Sequence, residues 1–124
     1  MSLVKFIQWI FFNSRKVSRI SKNLLKKAND KLYTVVNSDD IGKKKSLIIE
    51  YDSILSKILC DLYGKNTLAE NLKKAKNKLS YTDYNSLWFS HKIRNKITHE
   101  VEVKQDKKDL NLALNNFKKI LIKF

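Results

Sequence analysis

The chain has no proline, and among its 124 residues glycine occurs only at Gly42 and Gly64. A sheet or barrel of this length needs a tight turn about every ten residues, built on those two residue types, whereas helices lose nothing by their scarcity. The expectation is an all-α fold. A single cysteine, Cys60, rules out an internal disulfide, and its place in Ile58-Leu59-Cys60 reads as apolar filler in a reducing compartment. No apolar run approaches the roughly 20 residues that span a bilayer. At 14.6 kDa the chain holds one core, which excludes a multidomain enzyme. Arginine is scarce as well, at Arg15, Arg19 and Arg94, although the formal net charge is +14. A surface so cationic usually faces nucleic acid or anionic lipid. Because the charge is nearly all lysine, in a chain also rich in Asn and Ile, it does not by itself choose between them.

What is present is helical periodicity. From Leu3, apolar residues recur at Phe6, Ile7, Ile10, Phe11, Val17, Ile20, Leu24, Leu25, Ala28 and Leu32, which predicts one long basic amphipathic helix across residues 1–36. Asn37-Ser38-Asp39-Asp40-Ile41-Gly42 combines turn formers and helix caps and marks the boundary to a helical domain at 37–124. Four helices are expected there. A broad stripe from Leu47 to Leu62 is stopped by Gly64; Thr67-Leu68-Ala69-Glu70 is a capping box opening a short helix; Ser80-Tyr81-Thr82-Asp83 opens another, to about His99. After a polar loop at residues 100–105, Asp106 caps a last helix carrying Leu110, Leu114, Phe117, Leu121 and Phe124. Short connections between antiparallel helices make a bundle.

The helix ending near His99 carries the chemistry. Advancing about 100° per residue places Phe89, Ile93 and Ile97 in one narrow sector, with Ser86 and Ser90 beside it, and that sector is expected to face the core. Asn85, Lys92 and Lys96 fall in a solvated sector. The remaining arc holds Arg94, Leu87, Thr98, His91, Tyr84, Asn95, Trp88 and His99, a polar and aromatic face suited to a partner.

The stretch Leu87-Trp-Phe-Ser-His-Lys-Ile-Arg-Asn-Lys-Ile-Thr-His-Glu100 resembles the signature of HEPN domains, in which an Arg, usually followed by a polar residue, precedes a His by four to six positions. Arg94, Asn95 and His99 match it, and the resemblance covers about residues 43–124. It implies a four-helix HEPN-like bundle preceded by the long N-terminal helix, and a homodimer in which two motif helices meet and Arg and His from both chains line one cleft. It further implies His99 as general base or acid at the 2′-hydroxyl and leaving oxygen, Arg94 on the scissile phosphate and Asn95 orienting them. Imidazole titrates near neutrality and guanidinium offers phosphate a planar fork. Because Arg94 and His99 lie about 140° apart on a continuous helix, two paired chains focus them on one atom more readily than one chain does. His91, Lys92 and Lys96 are expected RNA contacts. Where a toxin subgroup of the family has Tyr two residues beyond the His, this chain has Val101, which withdraws support from regulation at that position.

Two classes of function stay open: an RNA-binding module that cleaves RNA without metal, and a non-catalytic scaffold binding an antitoxin or other protein. No metal or cofactor is expected; His91, His99 and Glu100 lack zinc-ligand spacing, and there is no Gly-rich phosphate loop or supported Ser-His-Asp set. The run Leu72 to Lys78 reads as a solvated lysine face that could also touch an RNA backbone. Residues 3–12 hold eight apolar residues ahead of a basic stem. That pattern suits peripheral contact with an anionic leaflet as well as packing onto the bundle or a second subunit. The expected location is cytoplasmic, either free or on the inner face of the membrane.

Overall fold

A computed structural model of the chain describes residues 2–6, 15–99 and 106–124. After a helical turn at residues 3–6, the described residues form α1 (Arg19–Val36), α2 (Ile41–Tyr63), α3 (Leu68–Lys74), a 3₁₀ turn (Ala75–Lys78), α4 (Tyr81–His99) and α5 (Lys107–Leu121). No strand occurs among them, and none of these helices is long and apolar enough to cross a membrane. The fold is an all-α bundle.

The break at residues 15–18 corrects the expectation of one continuous helix from Leu3. Ser18 is extended (φ −68°, ψ 158°) and its hydroxyl oxygen accepts from the Ser21 N–H. Asp61 of α2 accepts from the Ser18 N–H at 3.0 Å and from the Ser21 hydroxyl at 2.6 Å. A serine cap backed by a carboxylate at the positive end of the helix starts α1 where apolar spacing alone runs straight through. Of residues 3–12, on which the membrane-contact expectation rests, 7–12 lie outside the described residues; Leu3, Val4 and Phe6 are exposed. Nor is α1 an appendage, because Leu25, Ala28, Leu32 and Val35 are buried in one core with α2, α4 and α5.

The other helix limits follow their local signals. Asp40, Thr67 and Asp106 cap α2, α3 and α5. Gly64 ends α2 with a φ of 93° that a side chain would strain, its N–H returning to Cys60 O at 2.9 Å. At the centre Tyr51 stacks on Phe117, ring centroids 5.5 Å apart, and its hydroxyl donates to Asn29 Oδ1 at 2.6 Å. The buried Lys44 ammonium donates to the carbonyls of Val35 and Val36 and to Asn111 Oδ1, at 3.0, 2.8 and 2.7 Å, so α2 and α5 together close the C-terminal end of α1.

The inward face of α4 differs from the expected one. Asp83, Leu87, Ser90 and Ile93 are buried, whereas Phe89 and Ile97 only pack at the edge of the core. Leu87, expected on the partner face, is fully buried, and Trp88 also rests partly against the core. The reason is close packing. Ser90 and Ala113 of α5 are both fully buried, and Ser90 Oγ, bonded to Ser86 O at 2.9 Å, also receives the Asn116 amide at 3.2 Å. Two small residues let α4 and α5 approach, so a serine lies where an apolar side chain is expected.

Candidate functional site

Asp52 lies on the inward side of α2, one residue after Tyr51, with its side chain 5% exposed. A carboxylate there is costly unless it is paired. Its partners come from α4. His91 Nδ1 is 2.9 Å from Oδ1 and 3.2 Å from Oδ2, with the ring only 13% exposed. Arg94 Nε lies 3.5 Å from Oδ2, an ion pair rather than a hydrogen bond, since Nε has no acceptor in hydrogen-bonding position.

Asn95 closes the set into a ring. Arg94 Nη1 donates to Asn95 Oδ1 at 3.3 Å, and the Asn95 amide faces His91 Nε2 at 3.4 Å. These directions agree with one tautomer, in which Nδ1–H donates to Asp52 and Nε2 carries the lone pair. The spacing of 91, 94 and 95 on one helix face makes the ring, and α2 supplies the acid beneath it.

Beside the ring is a shallow pocket of about 260 Å³ lined by Asp52, Ser53 and Ser56 of α2, Leu68 of α3, and His91 and Arg94. It joins two hydroxyls and a guanidinium, donors of the type that hold an oxyanion, with the His91 imidazole and the Asp52 carboxylate beside them. A larger groove of about 770 Å³ runs between α1 and α2, where Lys31 is spanned by Glu50 at 3.0 Å. The charged residues of that groove, Asp30, Lys31, Asp40, Lys43 and Glu50, are exposed or half-buried, whereas Asp52 is buried against His91 and Arg94, so the smaller pocket is the candidate site.

From the ring an aromatic line leads along α4. Trp88 meets His91 edge-on with centroids 6.0 Å apart, Tyr84 meets Trp88 at 6.2 Å, and Lys76 Nζ sits 5.9 Å above the Tyr84 ring. The 3₁₀ turn thereby brings the lysine run alongside the helix that bears the site.

Of the six residues singled out in the sequence, the structure joins His91, Arg94 and Asn95 and leaves three apart. Lys92 and Lys96 are exposed on the same helix, and His99 is exposed at its last position, about 7 Å of helix rise beyond Arg94. Glu100 and Val101 lie outside the described residues. Asp52 is the member of this cluster that the motif reading missed. Its signal was present: Asp52 stands four residues after Ile48 and three before Leu55, on the apolar stripe of α2, whereas Glu50 lies off that stripe. Among the described residues no group of three or more His, Cys, Asp or Glu is placed to hold a metal. The chain matches no known family, no curated protein and no solved structure.

Proposed function

We propose that the chain is a HEPN-type RNA-binding module acting as a metal-independent endoribonuclease, with Arg94, Asn95 and His99 forming a composite site at a homodimer interface and His91, Lys92 and Lys96 contacting RNA. The observation that carries the reading is the ring in which buried Asp52 fixes His91 and Arg94 at the mouth of a pocket. A folded core gains little from burying an acid under two basic groups, whereas phosphate chemistry uses them directly. An oriented guanidinium meets charge that grows in the transition state, and imidazole moves protons near neutral pH. In the dimer, His99 of one chain approaches Arg94 of the other.

The test is cleavage of single-stranded RNA in chelator. The expected result is a 2′,3′-cyclic phosphate product from a dimer seen by light scattering, with His99→Ala and Arg94→Ala each lowering the rate by about 100-fold or more while the circular dichroism is unchanged. Equal cleavage by wild type and both variants would mean contamination. The half-buried Trp88 and Tyr84 favour a second reading, a non-catalytic scaffold whose α4 face binds a protein such as an antitoxin. Capture of a partner that depends on Trp88, by a protein with no nuclease activity, selects it.

A further inference from the structure

We infer that His91, held by Asp52, is itself a proton-transfer group of the site, acting within one chain on the sugar 2′-hydroxyl while Arg94 of that chain holds the phosphate. The inference rests on the ribonuclease reading above and extends it by a second histidine. Arg94 and His99 are too far apart around the helix for one chain to aim both at one atom, but His91 and Arg94 stand three residues and about 60° apart on the same face. The two share one carboxylate, at 2.9 Å from His91 and 3.5 Å from Arg94. The open pocket of about 260 Å³ that they line also carries Ser53 and Ser56.

The hydrogen bonds define the role. With Nδ1–H donated to a carboxylate that is itself buried, the ring is fixed in orientation and tautomer, and Asp52 offsets the positive charge gained when Nε2 takes a proton. Among the described residues Nε2 meets the Asn95 amide alone, at 3.4 Å, a long contact that a sugar hydroxyl can replace. The charged groups facing His91 are Asp52 from α2 and Arg94 from its own helix; α3 presents the apolar Leu68.

In the reaction O2′ attacks phosphorus as its proton passes to His91 Nε2. The P–O5′ bond then breaks, and O5′ takes a proton from the partner chain's copy of His99. The products are a 2′,3′-cyclic phosphate and a 5′-hydroxyl, with no redox change and no added reactant. Each histidine returns to its starting state by the reverse proton movements through water.

The experiment uses the full chain, in chelator, on a fluorescent single-stranded RNA, with a 2′-deoxy oligonucleotide of the same sequence as the uncleavable binding probe. His91→Gln is expected to lower kcat by about 100-fold or more, while binding of the deoxy probe, which lacks the 2′-hydroxyl that His91 contacts in RNA, is unchanged. The pH–rate profile should lose its basic-group limb, and added imidazole should restore part of the rate to His91→Ala. If His91→Gln does not fold, the double variant Asp52→Asn/His91→Gln, which removes the buried charge as well, gives the same readings. A variant that keeps kcat and loses affinity makes His91 an RNA contact only and overturns the proposal. So does a rate loss with an unchanged pH profile and no imidazole rescue. Failure of the ribonuclease reading looks different: wild type then forms no cyclic phosphate under any condition, and this proposal falls with it.

Discussion

α1 and α4 are nearly equal in length, 18 and 19 residues, but they divide their side chains differently. In α1 the buried positions are Ser21, which belongs to the cap, and past it Leu25, Ala28, Leu32 and Val35, spaced by three and four, with lysines elsewhere on the helix. In α4 the buried positions include Asp83 and Ser90, while Tyr84, Trp88 and Phe89 lie partly outside. A helix that only packs separates its residues by polarity. A helix that both packs and holds a site mixes them, because its outer face must carry aromatic and charged groups and its inner face must admit polar ones. The difference shows why the periodicity that placed the inner face of α1 misplaced that of α4 by about 60°.

The comparison breaks most sharply at Leu87. Fully buried, it should cost about 3 kcal/mol on Leu87→Ala in urea unfolding, whereas Phe89→Ala, at the margin of the core, should cost less despite the larger ring. The opposite order would return the inner face of α4 to the one read from apolar spacing.

Smaller effects are expected at the start of α1. Ser18→Ala should remove about 1 kcal/mol by loss of the cap on the Ser21 N–H, while the Ser18 N–H keeps its bond to Asp61. Burial pushes the Asp61 carboxyl up, but hydrogen bonds from the Ser21 hydroxyl and from Ser18 outweigh it and hold the group below its ordinary 3.8. Asp83 is also held low, chiefly by the Lys123 ammonium. Because the unfolded chain binds these protons more tightly, both groups stabilise the fold above about pH 4 and lose that contribution as pH falls through their folded values. Acid unfolding of Asp61→Asn should therefore be less steep than that of wild type. An identical slope would place the α1 anchor elsewhere.

Lys44 gives an alkaline counterpart. Burial, assisted by the charge of Lys107, lowers its pKa, so the unfolded chain binds the proton more tightly between the folded value and 10.5. Stability should rise slightly with pH across that window, and Lys44→Met should flatten the rise. A fall in wild type would mean that the ammonium's three hydrogen bonds outweigh its desolvation.

The smallest expected effect tests the N-terminal residues against the bundle. Removing everything before Thr34 would take most of α1, and with it Leu25, Ala28 and Leu32 of the core, so the test is substitution rather than truncation. If exposed Leu3 and Phe6 enter an anionic leaflet, wild type floats with anionic vesicles at low salt and Leu3→Ser/Phe6→Ser floats less. No flotation by either protein would assign those residues to protein contacts.

Much of the fold could be read locally. Gly64, Thr67, Asp106 and the apolar stripe of α2 act over one or two turns, so the sequence alone determined the all-α class and the course from Asp40 onward. The nearness of His91 to Arg94 and Asn95 was equally plain, because a helix places neighbours three and four apart without reference to the rest of the chain. Tertiary structure decided what depends on distant partners. Asp61 is 43 residues from Ser18 and fixes where α1 begins. Ala113 lies 23 residues from Ser90 and decides which face of α4 turns inward. Asp52, 39 residues before His91, sets which histidine joins the ring. Local propensity and capping act through the backbone near each residue, but a buried charge chooses among all the partners the fold brings within reach, and only the packed bundle specifies those.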